Sequence, residues 1–344
     1  MTSLISFTSK GLFCAQGNFY IDPWVPVDYA IITHGHSDHA YNGHKHYLCH
    51  HFTKPILQYR LGENNYQSVG WNETLHINGV GVTLFPAGHV IGSSQIRVEY
   101  KGEIWVASGD YKTEDDNISG KFEPVRCHHF ITESTFGLPI YSWKPQQEIY
   151  NDIILWINKN KEHGQASVLL AYSLGKAQRV IQAIKETTQD IYAHGAVYNM
   201  QDVLIQNGWD LHPVIPITGE LPKEKLKGAV IIAPPSADSS PWIKKLQPYA
   251  TGFCSGWMQV RGHRRRRNAD AGFAMSDHAD FDGLIAAVKS TGAENVYVTH
   301  GFQAAFSRYL NEEKIAIAAE VKTQFGNEEE GKEAVEIVDE TNEG

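Results

Sequence analysis

Thr33-His34-Gly35-His36-Ser37-Asp38-His39 closes the apolar run Tyr29–Ile32, and its reading decides the fold. In an extended segment residues i and i+2 point the same way, so His34 and His36 can grip one ion. Asp38 and His39, at the start of a predicted helix, can then face a second. Imidazole and carboxylate together suit zinc or manganese better than calcium, which prefers oxygen alone. Three later stretches place a polar group where an apolar run stops. Phe85-Pro86-Ala87-Gly88-His89 offers a third imidazole. Val106-Ala107-Ser108-Gly109-Asp110 offers a carboxylate able to bridge two ions, and Val298-Thr299-His300-Gly301 a histidine for the second ion. Nearby, His44, His46, His50 and His51 match no ligand spacing and read as loop or surface residues.

Outward from this segment, Asn18 to about Gly137 alternates short β-branched or aromatic runs with turns: 18–22, 28–33, 82–86, 94–100, 103–108 and 130–132. Lys101-Gly102 sits between two of these runs as a hairpin turn. After Pro145 the pattern becomes helix, strand, helix, strand, with predicted helices over 146–160, 176–187 and 197–206 and strands over 167–172, 191–193 and 229–233. From Gly272 a third block gives a strand at 273–275 and a helix whose apolar positions Phe281, Leu284, Ile285 and Val288 follow i, i+3, i+4, i+7. A strand over 296–299 and a helix from about Phe302 complete it. The chain is therefore α/β, with boundaries expected at 1–145, 146–255, 256–325 and an acidic, disordered tail over 326–344.

Composition limits the classes of function. A chain of 344 residues, 42% hydrophobic and 20% charged, buries a sizeable core and is not disordered. No apolar run approaches the roughly 18 residues of a membrane span, and Met1–Tyr20 lacks the basic-then-apolar pattern of a secretory leader. A cytoplasmic protein without membrane partners is expected. Cys14, Cys49, Cys127 and Cys254 lie far apart and read as reduced core thiols. Of the formal charge of −9, residues 327–344 contribute eight acids against Lys332, a balance of −7 that leaves −2 elsewhere. An acidic average does not exclude a nucleic-acid partner, because the local patch decides. Arg261-Gly262-His263-Arg264-Arg265-Arg266-Arg267 is the densest cationic stretch, and Arg264, Arg265 and Arg266 are candidate phosphate contacts. Lys112 can touch a nucleic-acid backbone or face solvent, and Trp143, Trp257 and Tyr172 are candidates for stacking bases.

Taken together these motifs resemble the metallo-β-lactamase fold and, within it, the β-CASP nucleases. Asp22 in Tyr20-Ile21-Asp22 matches the family's first aspartate, Ala87 to Ser93 its third motif, and Thr132-Glu133-Ser134-Thr135-Phe136-Gly137 its acidic motif. Ser173-Leu174-Gly175-Lys176-Ala177-Gln178 resembles the start of the β-CASP insert, where many relatives carry arginine at the position of Lys176. Met275-Ser276-Asp277-His278-Ala279-Asp280 and Thr299-His300-Gly301 match the two C-terminal histidine motifs. The likeness spans Phe7 to Leu310. Gly109-Asp110-Tyr111-Lys112 and 132–138 look most like bacterial DNA ligase-associated exonucleases of the Artemis-like branch.

That resemblance implies an αββα metallo-β-lactamase sandwich with a compact β-CASP-like α/β insert. It implies one divalent ion, zinc first and manganese or magnesium as alternatives, on His34, His36, His89 and Asp110. A second would lie on Asp38, His39, Asp110 and His300. Asp38 and His278 take catalytic roles by the same carry-over, with Glu133 orienting His278 and Asp22 supporting the ligand loops. Ser173, Gly175 and Lys176, where a strand turns into a helix, favour a phosphate. The implied activity is DNA exonuclease, 5′ to 3′, in repair beside a DNA ligase and a helicase. An RNA-processing nuclease is the alternative, and a small-molecule hydrolase of the same fold a more distant one.

Overall fold

Alternating burial marks a strand with a single core face. In β3 (Phe19–Ile21), Phe19 and Ile21 are buried while Tyr20 between them is only half-buried, as a strand with one core face requires. The computed structural model describes residues 3–188, 190–219, 221–260 and 269–324. Its chain divides into two compact units, Met1–Ser142 with His278–Gly344, and Trp143–Asp277.

In the first unit, one sheet runs in the order β1 (Ile5–Thr8), β2 (Gly11–Cys14), β3, β4 (Tyr29–Ile31), β5 (His46–His50) and β6 (Tyr66–Val69). A second contains β7 (Thr74–Ile77), β8 (Val80–Pro86), β9 (Ser94–Tyr100), β10 (Glu103–Ala107) and β11 (His129–Thr132). It is completed by β18 (Asn295–Val298) and β19 (Ile317–Glu320), in the order β19-β18-β11-β10-β9-β8-β7. The expected turn at Lys101-Gly102 joins β9 to β10, with both residues at positive φ. That is the conformation that matches the twist of paired strands.

One apolar cluster draws Leu12, Phe19, Ile21, Ile31 and Leu48 from the first sheet and Val82, Leu84, Ile96, Val98 and Trp105 from the second. Each such side chain contributes roughly 1.5–3 kcal/mol when fully buried. The other face of the second sheet is covered by two helices of the C-terminal return, through Leu284, Val288, Phe306 and Leu310. The first of them, Phe281–Thr291, buries the i, i+3, i+4, i+7 stripe that its sequence predicts and is capped by Asp280, which accepts from Gly283 N at 2.8 Å. The helix α1 (Thr53–Leu61) packs Leu57 against Ala30, Ile32, Tyr47 and Cys49 on the outer face of the first sheet. Cys14, Cys49, Cys127 and Cys254 are buried free thiols, as expected.

The second unit carries an all-parallel sheet, β14-β13-β15-β12-β16-β17, of β12 (Ala166–Leu170), β13 (Ile191–Ala193), β14 (Ile215–Pro216), β15 (Val230–Ala233), β16 (Tyr249–Cys254) and β17 (Ala271–Phe273). Every residue of β12 is buried, which explains its continuous apolar run. Helices α2 (Gln146–Glu162) and α3 (Lys176–Ile184) supply Ile149, Ile153, Ile157, Val180, Ile181 and Ile184 to its core. The return to the first unit comes at His278, later than the expected 256. The reason is β17, which pairs with β16 and sends Phe273 and Met275 into this core. No helix among the described residues is long and apolar enough to cross a membrane. Residues 326–344, expected to be disordered, lie outside the described residues.

Candidate metal centre

Parallel pairing brings the polar strand ends together. β10, β11 and β18 run parallel, so Asp110, Glu133 and His300, each within three residues of its strand's end, emerge at one edge. β3 and β4 are parallel as well, and deliver Asp22 and the Thr33–His39 segment. All of these residues belong to the first unit.

Asp22 is buried and organises the histidine segment. Its Oδ1 accepts from Thr33 N at 2.8 Å, and its Oδ2 accepts from Thr33 Oγ1 at 2.6 Å and from His39 Nδ1 at 2.7 Å. With Nδ1 donating to this carboxylate, His39 keeps the Nε2 lone pair for the other side of the ring. Thr33 repeats the logic. Its hydroxyl gives its proton to Asp22 and is left to accept from His34 Nδ1 at 3.1 Å, which frees His34 Nε2 for ligation. The sequence singled out Asp22 but not this use of Thr33.

Two sets of four candidate ligand atoms form, each within 4.8 Å of one another: His34, His36, His89 and Asp110, and Asp38, His39, Asp110 and His300; a third group, Asp110, Glu133 and His278, meets the same distance. Asp110 belongs to all three. Its Oδ2 lies 3.5 Å from His39 Nε2, 3.7 Å from His34 Nε2 and 3.8 Å from His89 Nε2. Asp38 Oδ2 lies 3.8 Å from His39 Nε2 and 3.9 Å from His300 Nε2. Most of these separations are too long for hydrogen bonds. They match atoms arranged around an ion, since ligands about 2.0–2.2 Å from zinc at tetrahedral angles stand roughly 3.4 Å apart. His89 Nε2 and His36 Nδ1 are closer, at 3.0 Å.

The donors fit a divalent cation on a further count. His34 Nε2, Asp38 Oδ1 and Asp110 Oδ1 are buried with no hydrogen-bonding partner among the described residues, a costly condition that a cation relieves. Burial holds the His34 imidazole well below its ordinary pKa, and His39 and His89 push it the same way. Burial also opposes charge on His39, but the Asp110 and Asp38 carboxylates outweigh it and lift its pKa well above the usual value. Asp110 answers in kind: burial opposes its carboxylate, and His39 and His300 overcome this and hold its pKa well below the usual range. The pocket thus demands positive charge beside its carboxylates, which a metal supplies on displacing protons.

His278 stands next to this centre, its ring centroid 4.6 Å from that of His89. Its Nδ1 lies 2.9 and 3.0 Å from the two oxygens of buried Glu133, whose Oε1 also accepts from Tyr111 N at 2.7 Å. The geometry of an orienting carboxylate is therefore present.

The other candidates are placed differently. Lys112 does not face solvent: it is buried, with Nζ 2.9 Å from Glu114. Lys176 is buried too, 3.2 Å from Asp277 and over the Tyr172 ring at 4.9 Å. Arg179, absent from the sequence reading, shares Asp277 at 2.6 Å. Its signal was its position one turn after Lys176 on an amphipathic helix. Ser173 and Gly175 lead into α3, where Gly175 N donates to Gln178 at 2.8 Å. Trp257 is buried rather than available for stacking. Arg264, Arg265 and Arg266 lie outside the described residues. Two of the four extra histidines are buried: His44, in the loop before β5, accepts through Nδ1 from Val27 N at 3.3 Å, and His50, at the end of β5 rather than in a loop or at the surface, stacks on Trp71 at 4.2 Å.

No protein-family profile matches the chain. A probable DNA ligase of Opitutus terrae is 29% identical over 309 residues, which are 88% of this chain and 30% of that protein. The endoribonuclease YSH1 of Saccharomyces cerevisiae is 29% identical over 122 residues, 35% of this chain and 15% of its own length. Cleavage and polyadenylation specificity factor subunit 3 of Dictyostelium discoideum is 25% identical over 122 residues, 35% of this chain and 16% of its own length. The matched stretches thus span less than a third of these relatives. A crystal structure of a protein of unknown function from Enterococcus faecalis V583 shares the fold, with a TM-score of 0.56 and 12% identity over 78% of this chain and 74% of that one. Relatives of both kinds, and a buried histidine and aspartate centre at the ends of parallel strands, support one assignment, to the β-CASP family of metallo-β-lactamase-fold proteins.

Proposed function

We propose that this chain hydrolyses phosphodiester bonds in DNA as a two-ion exonuclease, 5′ to 3′, acting in repair beside a DNA ligase and a helicase. The carrying observation is Asp110, one carboxylate common to two otherwise separate sets of buried ligands. In this reading the first unit is an αββα sandwich and Trp143–Asp277 the β-CASP insert. His34, His36, His89 and Asp110 hold one ion, and Asp38, His39, Asp110 and His300 the other. Two divalent ions, zinc foremost, would supply an activated water and charge compensation at the phosphoryl group.

The residues around them do the rest. Asp38 offers Oδ1 as a proton acceptor. His278, fixed through Nδ1 by Glu133, hydrogen-bonds the scissile phosphate or protonates the leaving oxygen through Nε2. The match along 88% of the chain to a protein named as a probable DNA ligase supports a DNA substrate and a setting in repair. RNA cleavage is the second reading, favoured by matches to proteins named as endoribonucleases over about a third of the chain.

Matched DNA and RNA oligonucleotides labelled at either end, with and without a 5′-phosphate, test both in zinc, manganese or magnesium. Stepwise loss from the 5′ end of DNA, abolished in Asp110→Ala, is the expected result. Preferential RNA cleavage moves the protein to the second reading, and no cleavage in any metal overturns both.

A further inference from the structure

Helix α1 holds no candidate ligand, yet its side chains reach both loops that carry the histidines of the first ligand set. Thr53, its first residue, is fully buried and donates through Oγ1 to Gly92 O at 2.8 Å. Gly92 lies in the His89 loop at a φ of +79°, and a Cβ there would stand 2.7 Å from both Thr53 N and Thr53 Oγ1. The loop therefore approaches the helix as closely as only glycine permits. From Gly92 the contact passes to the ligand through Ser93. Ser93 Oγ accepts from His89 N at 3.0 Å and from Val90 N at 3.2 Å, while Ser93 N donates to Val90 O at 2.9 Å.

At the other end of the helix the Arg60 guanidinium donates to Gly35 O. Gly35 supplies the carbonyl between His34 and His36, so this bond acts on the peptide that makes both rings point the same way. Thr53 and Arg60 are seven residues apart, roughly two turns and 10.5 Å, and so share one face of α1. Ile56 and Leu57 between them are buried and fix the helix in place. The second ligand set is oriented by other contacts: Asp22 holds His39, and the Ser134 hydroxyl donates to His300 O.

We propose that α1 is a clamp on the His34, His36 and His89 subsite alone, with Thr53 and Arg60 as positioning residues for that one ion. The inference deepens the two-ion reading and rests on it. Thr53 sets the depth of the His89 loop, and Arg60 sets the angle of the His34–His36 peptide. Losing either lets one imidazole drift from the other two without removing a ligand. Outer partners of this kind typically govern metal affinity by about 10- to 100-fold.

The test is competitive zinc titration of the full-length, metal-stripped protein against a chromophoric chelator. His300→Ala isolates the first subsite and His36→Ala the second. In the His300→Ala background, Thr53→Val and Arg60→Met should each weaken zinc binding by about tenfold, with Thr53→Ser and Arg60→Lys recovering most of the loss. In the His36→Ala background the same substitutions should leave zinc affinity unchanged. Equal weakening in both backgrounds would show a merely structural helix and overturn the clamp. Wild-type affinity in every Thr53 and Arg60 variant, with two ions bound by the parent, overturns the clamp while the two-ion reading stands. A parent that takes up no zinc overturns that reading, and the clamp falls with it.

Discussion

Asp22→Asn tests, with a change of one atom, the carboxylate that orients His39 directly and His34 through Thr33. Asp22 accepts three hydrogen bonds, from Thr33 N, Thr33 Oγ1 and His39 Nδ1. An asparagine oxygen in the Oδ1 position keeps the first. The amide nitrogen then replaces Oδ2 and faces the other two groups with hydrogens instead of lone pairs. His39 must turn Nδ1 into an acceptor, which moves its proton to Nε2, the atom that stands 3.5 Å from Asp110. Ligation by His39 is lost until that proton leaves. The expected cost is about 10- to 100-fold in affinity for the second ion, or about 1.4–2.8 kcal/mol. Weakening two charge-assisted bonds also costs about 1.5–3 kcal/mol of folding stability, which lowers Tm by several degrees. Zinc competition titration with parallel calorimetry measures both quantities. The expected variant binds the second ion weakly, through His39, and also loses affinity for the first, through Thr33 and His34. Two ions bound with parental affinity in a folded protein would refute the tautomer argument.

Four further outcomes follow from the same geometry. Glu133→Gln leaves both ligand sets intact but removes the charge that orients His278, so kcat should fall by about 10- to 100-fold with zinc content unchanged; loss of zinc would instead assign Glu133 to the metal. Stripping the metal should lower Tm, because a ligand at about 1,000 times its Kd adds about 4 kcal/mol of stability; calorimetry with and without chelator checks this, and identical curves would contradict a metal-loaded native state. Burial depresses His44 and His50 to about 4. The unfolded chain then binds more protons than the folded one between pH 6.5 and about 4. Stability rises with pH across that window and is lost as pH falls through it, and His50→Gln should flatten the slope of urea midpoints against pH. Finally, Asp277→Asn removes the carboxylate that buried Lys176 and Arg179 share, at an expected cost of about 3–5 kcal/mol in chemical denaturation.

Local chemistry made the candidate metal centre legible in the sequence. His34 and His36 stand two residues apart just past the apolar run that includes β4, and His89, Asp110 and His300 stand just past apolar strands. Strand periodicity and side-chain chemistry alone mark such positions as polar groups at sheet ends. The helix at Phe281–Thr291 was legible for the same reason, since its stripe and its Asp280 cap are encoded within a dozen residues. Sheet order was not. That Asp110 joins both ligand sets depends on β10, β11 and β18 running parallel, with β11 and β18 separated by the whole second unit.

Tertiary structure alone also settled the residues whose polarity misleads. The stretch His46-Tyr47-Leu48-Cys49-His50 looks like a polar histidine cluster, but it is a strand, with Tyr47 to His50 buried between the first sheet's neighbours. His50 earns its place by stacking on Trp71, a contact across 21 positions that no local pattern announces. Lys112 and Lys176 carry a phosphate-binding residue type; Glu114 and Arg179 are their near neighbours in the chain, but only folding buries both lysines and brings Asp277 to Lys176 and Arg179. Sequence therefore determined which atoms could ligate a metal, because ligand chemistry resides in single side chains. The fold decided which of them meet, and which charges are already answered, because those depend on strand pairings and contacts between distant residues.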